Sequence, residues 1–432
     1  SRQFLEGHYV PFLEAYSRSM GNNEYYEEVL RVIAFLEKCE LSGHVVEGAG
    51  RWYEIDDAQD LDNAEALFAT GRDKVRRFHA RYGGYWRFPA MLDYCYLVNP
   101  YFPPPALLEE MRWNFRELLT RYPSGQRTNA LLAARMFGVA PEHVVVGNGA
   151  AEIISAHLSS LDGRIGIPLP TFEEYSNRIR RGSFVPLPAS RSDFGRTLEE
   201  LAEFAQGVEH LVLVNPDNPS GWCLDAGDVR KLSGMLRDAG KSLVLDESFM
   251  DFHSQGKSAS VFDQEFLEAH PNVLLVKSIS KSFGVPGLRL GIAASGDLDA
   301  IRDLRREMSI WNINSFAEFF MQGFEKYRKD YENSCRLLVQ ERVRFHRDLD
   351  TLRELVVHPS EANYFLCRIV GSASADELEE HLLCKEGILI KSCTGKMGIE
   401  GDKFLRIAIR DETDNRRLVS ALQGFWGRDE RK

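Results

Sequence analysis

Short, almost continuously apolar runs alternate with amphipathic stretches through the middle of the chain. Five such runs lie at residues 144–146, 165–167, 211–214, 242–245 and 273–276. Apolar runs of this length without polar alternation predict strands that are covered on both faces, as in a parallel sheet flanked by helices. The stretches between them have helical spacing, so residues 125–300 are expected to form a large α/β domain around a mainly parallel sheet.

The pattern changes after about residue 300. Long charged helices are predicted over residues 301–353, followed by strands at 363–368, 388–392 and 404–409 and a last helix from Thr413. This order predicts a smaller α+β domain over residues 301–432. Upstream, the prolines at 103–105 keep the chain extended, and residues 92–124 are expected to form an arm and part of the smaller domain.

The first part of the chain has a different pattern. Apolar residues at helical spacing predict a helix over residues 23–37, and residues 51–57 predict a short strand that enters an acidic turn. A further helix is predicted from Asp60. Residues 71–87 are basic and either helical or linker-like. Residues 73–91 are interpreted as a linker, which leaves residues 1–72 as a separate unit.

Composition narrows the class of protein. The chain has 432 residues, 53 basic against 64 acidic side chains and a net charge of −11, so a nucleic-acid partner is not expected. No apolar run is long enough to predict a membrane span. The 7 cysteines are scattered and lack C-x-x-C spacing, which favours a reducing, cytoplasmic setting without structural zinc.

One segment carries the strongest chemical signal. The sequence SISKSFGVPGLRLG, residues 278–291, directly follows the last apolar run. A lysine among small residues there suits a Schiff base, and Ser278 with Arg289 suits a phosphate. An ordinary surface lysine is the alternative interpretation of Lys281.

The segment resembles the signature of fold type I pyridoxal-phosphate enzymes, the class I and II aminotransferases and their relatives, and it matches the pattern S-x-S-K-x-x-G-x-x-G-x-R-x-G throughout. The resemblance implies pyridoxal 5′-phosphate as the cofactor, bound by Lys281 and by Ser280. It also implies that Asp246, in LDESF, faces the pyridine nitrogen and that Asn218, in NPDNPSG, binds the ring hydroxyl. In isolation, Asp246 would be interpreted as a helix cap.

Three further segments follow the order of that family. The resemblance implies that Gly149, Ala150 and Ala151, in GNGAAE, hold the cofactor phosphate at a helix start. It implies that Phe172, in PTFEEY, stacks on the pyridine ring, although a core aromatic is the simpler interpretation. Tyr122, in RYP, would reach the phosphate of a neighbouring subunit, so a homodimer with shared sites is expected.

The last part of the chain resembles threonine-phosphate decarboxylase, through the segments ILIKSC (388–393), RIAIR (406–410) and DETDNRRL (411–418). By that resemblance Arg406 binds the substrate's α-carboxylate, and Asn218 is also expected to bind the substrate. Arg410 and Lys391 add two cations, which suggests a second acidic group on the substrate; the alternative is that both are solvated. Phe249 stands where the aminotransferase branch has a tyrosine, and it has no hydroxyl to donate.

The start of the chain resembles the end of a cytidylyltransferase, through residues 23–28 and 52–61. That resemblance makes Glu54 and Asp56 ligands of Mg²⁺, whereas spacing alone fits an acidic helix cap equally well. The glycine-rich nucleotide loop is missing, so no transferase activity is assigned. Because the sequence begins Ser-Arg-Gln, we expect a longer, bifunctional natural protein.

Together these patterns predict a pyridoxal-phosphate decarboxylase of O-phosphoserine, O-phosphothreonine or phosphonoalanine, without a metal in that site. The partner half would activate the amine product with CTP. An aminotransferase acting on a phosphorylated or phosphonate substrate is the alternative. A catalytically silent scaffold is a third hypothesis, and the complete cofactor set argues against it.

Overall fold

The computed structural model describes residues 2–20, 26–37 and 52–427. The chain divides into two compact units, Ser1–Leu67 and Phe68–Lys432. Parts of three predictions lie outside the described residues. They are Cys39 among the cysteines, residues 23–25 at the start of the helix predicted over 23–37, and Arg51 at the start of the strand predicted over 51–57.

The first unit is helical in its described parts. Its helices are Arg2–Phe4 (α1), Val10–Met20 (α2), Tyr26–Glu37 (α3) and most of Ala58–Phe68 (α4), with a π-helical turn at Leu5–Tyr9. The strand predicted near residues 51–57 is not formed by its described residues. Instead, Asp57 Oδ1 accepts hydrogen bonds from the backbone N–H groups of Gln59 (2.7 Å) and Asp60 (2.9 Å). The acidic turn therefore caps a helix, because its carboxylates compete with strand pairing.

Strands of the second unit are Leu92–Asp93 (β1), Val144–Asn148 (β2), Arg164–Pro168 (β3), Ser183–Leu187 (β4), His210–Val214 (β5), Ser242–Asp246 (β6), Val273–Ser278 (β7), Leu290–Ser295 (β8), Leu355–Val357 (β9), Tyr364–Ile369 (β10), Ile388–Leu389 (β11), Lys391–Ser392 (β12) and Phe404–Ala408 (β13). The large sheet has the order β2-β8-β7-β6-β5-β3-β4, in which only β8 is antiparallel to its neighbours. The predicted α/β fold with a mainly parallel sheet is thus confirmed.

Helices of this unit are Gly71–Ala80 (α5), Pro105–Trp113 (α6), Phe115–Thr120 (α7), Gln126–Phe137 (α8), Ala150–Ser160 (α9), Glu174–Asn177 (α10), Leu198–Gln206 (α11), Ala226–Asp238 (α12), Gln264–Ala269 (α13), Ile279–Ser282 (α14), Leu298–Glu307 (α15), Ser315–Gly323 (α16), Arg328–Asp350 (α17), Ala375–His381 (α18) and Glu412–Trp426 (α19). Within the described residues, none of the helices is both long and apolar enough to cross a bilayer.

The sheet has a core on both faces. Leu243 and Leu245 of β6 belong to one apolar cluster, and Val244 between them belongs to a second. Alternate residues of a strand point to opposite faces, so the continuous apolar runs follow from coverage on both sides.

The smaller domain has a four-stranded antiparallel sheet in the order β12-β13-β10-β9, while β11 pairs with β1 in parallel. Lys391 of β12 and Leu366 of β10 lie on either side of Arg406 of β13.

Residues 73–91, interpreted from the sequence as a linker, are largely folded onto the second unit. Helix α5 covers residues up to Ala80 and buries Val75 and Phe78. A 3-10 turn, Tyr85–Arg87, follows it. Of the two alternatives for this stretch, the structure shows the helix for residues 71–80.

Candidate active site

A cavity of about 240 Å³ lies at the carboxyl ends of β5, β6 and β7. Parallel strands end at the same edge of a sheet, where α/β proteins bind their ligands. Ten predicted site residues line it: Ala150, Ala151, Phe172, Asn218, Asp246, Ser278, Ser280, Lys281, Arg289 and Arg406. The sequence-based reasoning therefore selected residues that the fold brings together from distant parts of the chain.

Lys281 lies in the short helix α14, directly after β7. Desolvation lowers the pKa of its amine from 10.5 to about 8, and the positive charges of Arg406 and Arg289 act in the same direction. At pH 7 about a tenth of the amine is therefore neutral, far more than at the ordinary pKa, and the neutral form is the one that a nucleophile or proton acceptor requires.

Asp246 ends β6 and is only 4% exposed. Its Oδ2 accepts a hydrogen bond from the Tyr175 hydroxyl at 2.8 Å, and its Oδ1 accepts from the Ser248 backbone N–H at 2.8 Å and from the Ser248 hydroxyl. Burial raises the pKa of this carboxyl, and the three hydrogen bonds oppose that effect. Tyr175 and Ser248 were not predicted as site residues, although both stand in quoted segments.

An anion-binding cradle forms the end of the cavity near α9. Gly149 precedes this helix with a φ of +75° and offers no side-chain cap, so the first turn keeps its partial positive charge. The Ser280 hydroxyl is buried without a hydrogen-bond partner. A Cβ at Gly149 would lie 2.7 Å from Arg289 Nη2, and one at Gly291 would lie 2.2 Å from the Ala150 nitrogen. The two glycines thus allow the guanidinium and the helix start to approach each other.

Arg406 also lines the cavity and is fixed by contacts separate from those of the cradle. Its Nη1 donates to Asn218 Oδ1 at 2.7 Å and its Nη2 to the Cys95 carbonyl at 2.5 Å, while Nε is buried without a partner. The guanidinium also lies over the Tyr364 ring, 5.7 Å from its centre. A guanidinium held this way has a donor left for a carboxylate.

Four further predicted residues do not line the cavity. Gly149 lies directly behind it, against Arg289. Tyr122 is 79% exposed and stacks on Trp311 with ring centres 4.2 Å apart. Arg410 pairs with Asp414 at 2.6 Å, and Lys391 is exposed.

Aromatic residues complete the walls. Phe172 is 40% exposed, and Phe249 is buried with its edge against the Tyr364 ring. Cys95, Tyr96 and Leu97 also line the cavity. Sequence reasoning missed these three because no motif marks a segment that reaches the site only through tertiary contacts.

The predicted magnesium ligands of the first unit, Glu54 and Asp56, are both exposed. Among the described residues, there is no group of three or more histidine, cysteine, aspartate or glutamate side chains positioned to hold a metal ion.

Comparison with known proteins identifies the family. The model of aminotransferase class I and II matches residues 93–422, and the chain belongs to that family. The cofactor of this family is pyridoxal phosphate. The residues present fit it, since the cradle offers a phosphate an uncapped helix start, an unpartnered hydroxyl and a guanidinium.

Two curated proteins and one solved structure illustrate the similarity. CMP-5′-(3-aminopropyl)phosphonate synthase of Streptomyces rubellomurinus is 35% identical over 98% of this chain and 67% of its own length. L-serine phosphate decarboxylase of Sulfurospirillum multivorans is 31% identical over 78% of this chain and 90% of its own length. The structure of a decarboxylase from Sulfurospirillum multivorans has a TM-score of 0.73 and 28% identity, covering 85% of this chain and 98% of that one. The chain spans about two thirds of the first relative.

Proposed function

We propose that this chain decarboxylates an amino acid that also carries a phosphate or phosphonate group. The observation that carries the proposal is the division of positive charge in the cavity. Arg289 belongs to the cradle, whereas Arg406 is held by Asn218 and Cys95 and lines the same cavity, where it would bind an acidic substrate. The names of the similar decarboxylases support the same reaction.

Each residue has a distinct task in this proposal. When bound, pyridoxal phosphate accepts the electron pair that is released when a bond to the substrate's Cα breaks. Asp246 presents a carboxylate to the ring nitrogen, and Tyr175 and Ser248 hold it in place. Arg406 orients the substrate. The bond from Cα to the carboxylate breaks, CO₂ leaves, and Lys281 Nζ delivers a proton to Cα.

An aminotransferase is the second candidate, because the family includes such enzymes and uses the same lysine and aspartate. Incubation of the holoprotein with O-phosphoserine, O-phosphothreonine and phosphonoalanine, with and without 2-oxoglutarate, tests the two. We expect CO₂ from at least one substrate without the oxo-acid. Glutamate formation that depends on 2-oxoglutarate, without CO₂, would establish transamination instead.

We infer that Lys391 binds the second acidic group of the substrate. It is the cross-strand partner of Arg406, and directly paired residues of antiparallel strands extend to the same face. Arg410 is less suited, since Asp414 neutralises it and its Nη1 donates to the Asp93 carbonyl at 3.1 Å.

We further propose a cytoplasmic homodimer. The contact between the two subunits would be formed by exposed aromatic and aliphatic side chains of α6, of α7 and the residues just after it, and of the segment before α16. Among them are Trp113, Leu119, Tyr122 and Ile310. Tyr122 would then approach the cradle of the partner. The six cysteines of the described residues are unpaired, as a reducing compartment favours. Light scattering of the purified protein tests the dimer, and a monomer with full activity would contradict it.

The cytidylyltransferase-like role of the first unit also remains our proposal. It is supported by the name of the Streptomyces relative, which refers to a CMP-linked aminophosphonate, and by its match to 98% of this chain. By this proposal, a protein that carries the complete transferase domain would transfer CMP from CTP to the amine product. Assay of that protein with CTP and 2-aminoethylphosphonate or O-phosphoethanolamine tests the role; absence of a CMP adduct would refute it.

A further inference from the structure

Residues 71–88, which we call the strap, lie upstream of the region that matches the family. They comprise α5, the 3-10 turn and Phe88. The strap nevertheless reaches the substrate side of the cavity at two places. We propose that it is a positioning element for the substrate's second acidic group, an inference that rests on the proposed function.

The first contact is a network of charges around Ser392 of β12. Glu379 of α18 is only 1% exposed. Its carboxylate accepts a hydrogen bond from Arg72 Nη1 at 3.3 Å and lies 2.7 Å from His79 Nε2. Its Oε1 also accepts the Ser392 backbone N–H at 3.2 Å. Asp376 repeats the arrangement, pairing with Arg72 Nη2 at 3.2 Å and accepting the Ser392 hydroxyl at 2.6 Å. Two carboxylates thus tie the strap to β12.

This network adjoins the substrate side. Ser392 directly follows Lys391, whose cross-strand partner is Arg406. A short strand of two residues has few ladder hydrogen bonds of its own. The direction of the Lys391 side chain therefore depends on the contacts that fix the backbone of β12. Asp376 and Glu379 make those contacts, and the strap supplies the positive charges that hold both carboxylates in place.

The second contact is aromatic. The Tyr85 ring lies 5.6 Å from the Tyr96 ring, centre to centre, and Tyr96 lines the cavity. Tyr85 is itself held, because its hydroxyl donates to the Phe78 carbonyl at 2.9 Å and Phe78 packs on Phe88. The strap therefore supports one wall of the cavity and the strand beside it without lining the cavity.

A positioning role predicts a particular kinetic pattern. The strap contacts none of the groups assigned to the cofactor. Removing its contacts should therefore weaken substrate binding and leave the turnover rate of the bound substrate nearly unchanged. In the holoprotein we expect Arg72→Gln, Glu379→Ala and Tyr85→Ala each to raise KM for O-phosphoserine about tenfold, with kcat within about twofold. The calorimetric Kd of O-phosphoethanolamine, a ligand without a carboxylate to lose, should rise equally.

Two matched variants control the test. Arg76→Gln removes an arginine of the same helix that pairs with Asp73 of that helix, and it should match the wild type. Tyr85→Phe keeps the ring and loses only the hydroxyl that donates to Phe78, so its KM should lie between those of the wild type and Tyr85→Ala. Unchanged KM and Kd in Arg72→Gln, Glu379→Ala and Tyr85→Ala would overturn the proposal. A fall in kcat at constant KM in these variants would also overturn it. If Glu379→Ala does not fold, the more exposed Arg72→Gln decides. Absence of CO₂ from the wild type would refute the proposed function, while the Kd comparison still tests the strap.

Discussion

The low pKa of Lys281 gives the most quantitative prediction. A fall from 10.5 to about 8 corresponds to about 3 kcal/mol of disfavoured protonation. Desolvation contributes most, and Arg406 is the larger of the two cationic contributions. Because Arg406 is the larger of the two cationic contributions, Arg406→Met should raise the pKa of Lys281 towards its ordinary value.

Competitive labelling of the apoprotein with acetic anhydride measures this pKa, because only the neutral amine reacts. Mass spectrometry of the peptide that contains Lys281 gives the labelling rate at each pH. We expect a midpoint near 8 in the wild type and a higher one in Arg406→Met. Arg410→Met is the matched control, since that arginine is paired with Asp414 and does not line the cavity. A wild-type midpoint near 10.5, or an equal shift in Arg410→Met, would refute the reasoning.

Three further predictions follow from the same contacts. The pKa of Lys281 in the folded apoprotein lies below its ordinary value, so protonating this amine lowers the free energy of unfolding. The loss is complete below about pH 8 and absent above about pH 10.5. At pH 7, Lys281→Met should therefore raise the free energy of unfolding, measured in urea, by about 1–3 kcal/mol, and a lower value than in the wild type would contradict this. Gly149→Ala should displace Arg289 and raise the Kd of the apoprotein for pyridoxal phosphate about tenfold or more, whereas Gly138→Ala, with a similar φ of +71° and open space around it, should not. Tyr175→Phe removes one donor to Asp246 and should lower kcat about tenfold while cofactor absorbance is retained; a kcat equal to that of the wild type would show that Ser248 suffices.

The sequence predicted best what local pattern determines. The strand that carries Asp246 and the strand that precedes Lys281 are buried on both faces, so their apolar runs are continuous and easily recognised. Strand β4 lies at the sheet edge, is only partly buried and contains Pro186, so its pattern is weak.

Side-chain pairing was harder to foresee. Arg406 is fixed by Asn218, which lies 188 residues away in sequence, so no local pattern marks this contact. Arg410, by contrast, is neutralised by Asp414, only four residues further on. Likewise, the basic residues of the strap suggested a linker, because their partners Asp376 and Glu379 lie about 300 residues away in sequence. Contacts between distant segments decide such roles, and a single sequence does not encode them as a pattern.

The central claim concerns which bond to Cα breaks, and isotopic labelling of the products tests it most directly. The holoprotein is incubated in D₂O with O-phosphoserine or phosphonoalanine that carries ¹³C in the carboxylate. We predict that the label leaves entirely as ¹³CO₂ and that the amine product carries one deuterium at the former Cα, delivered from Lys281. Retention of ¹³C in an oxo-acid product would contradict the account and make this chain an aminotransferase.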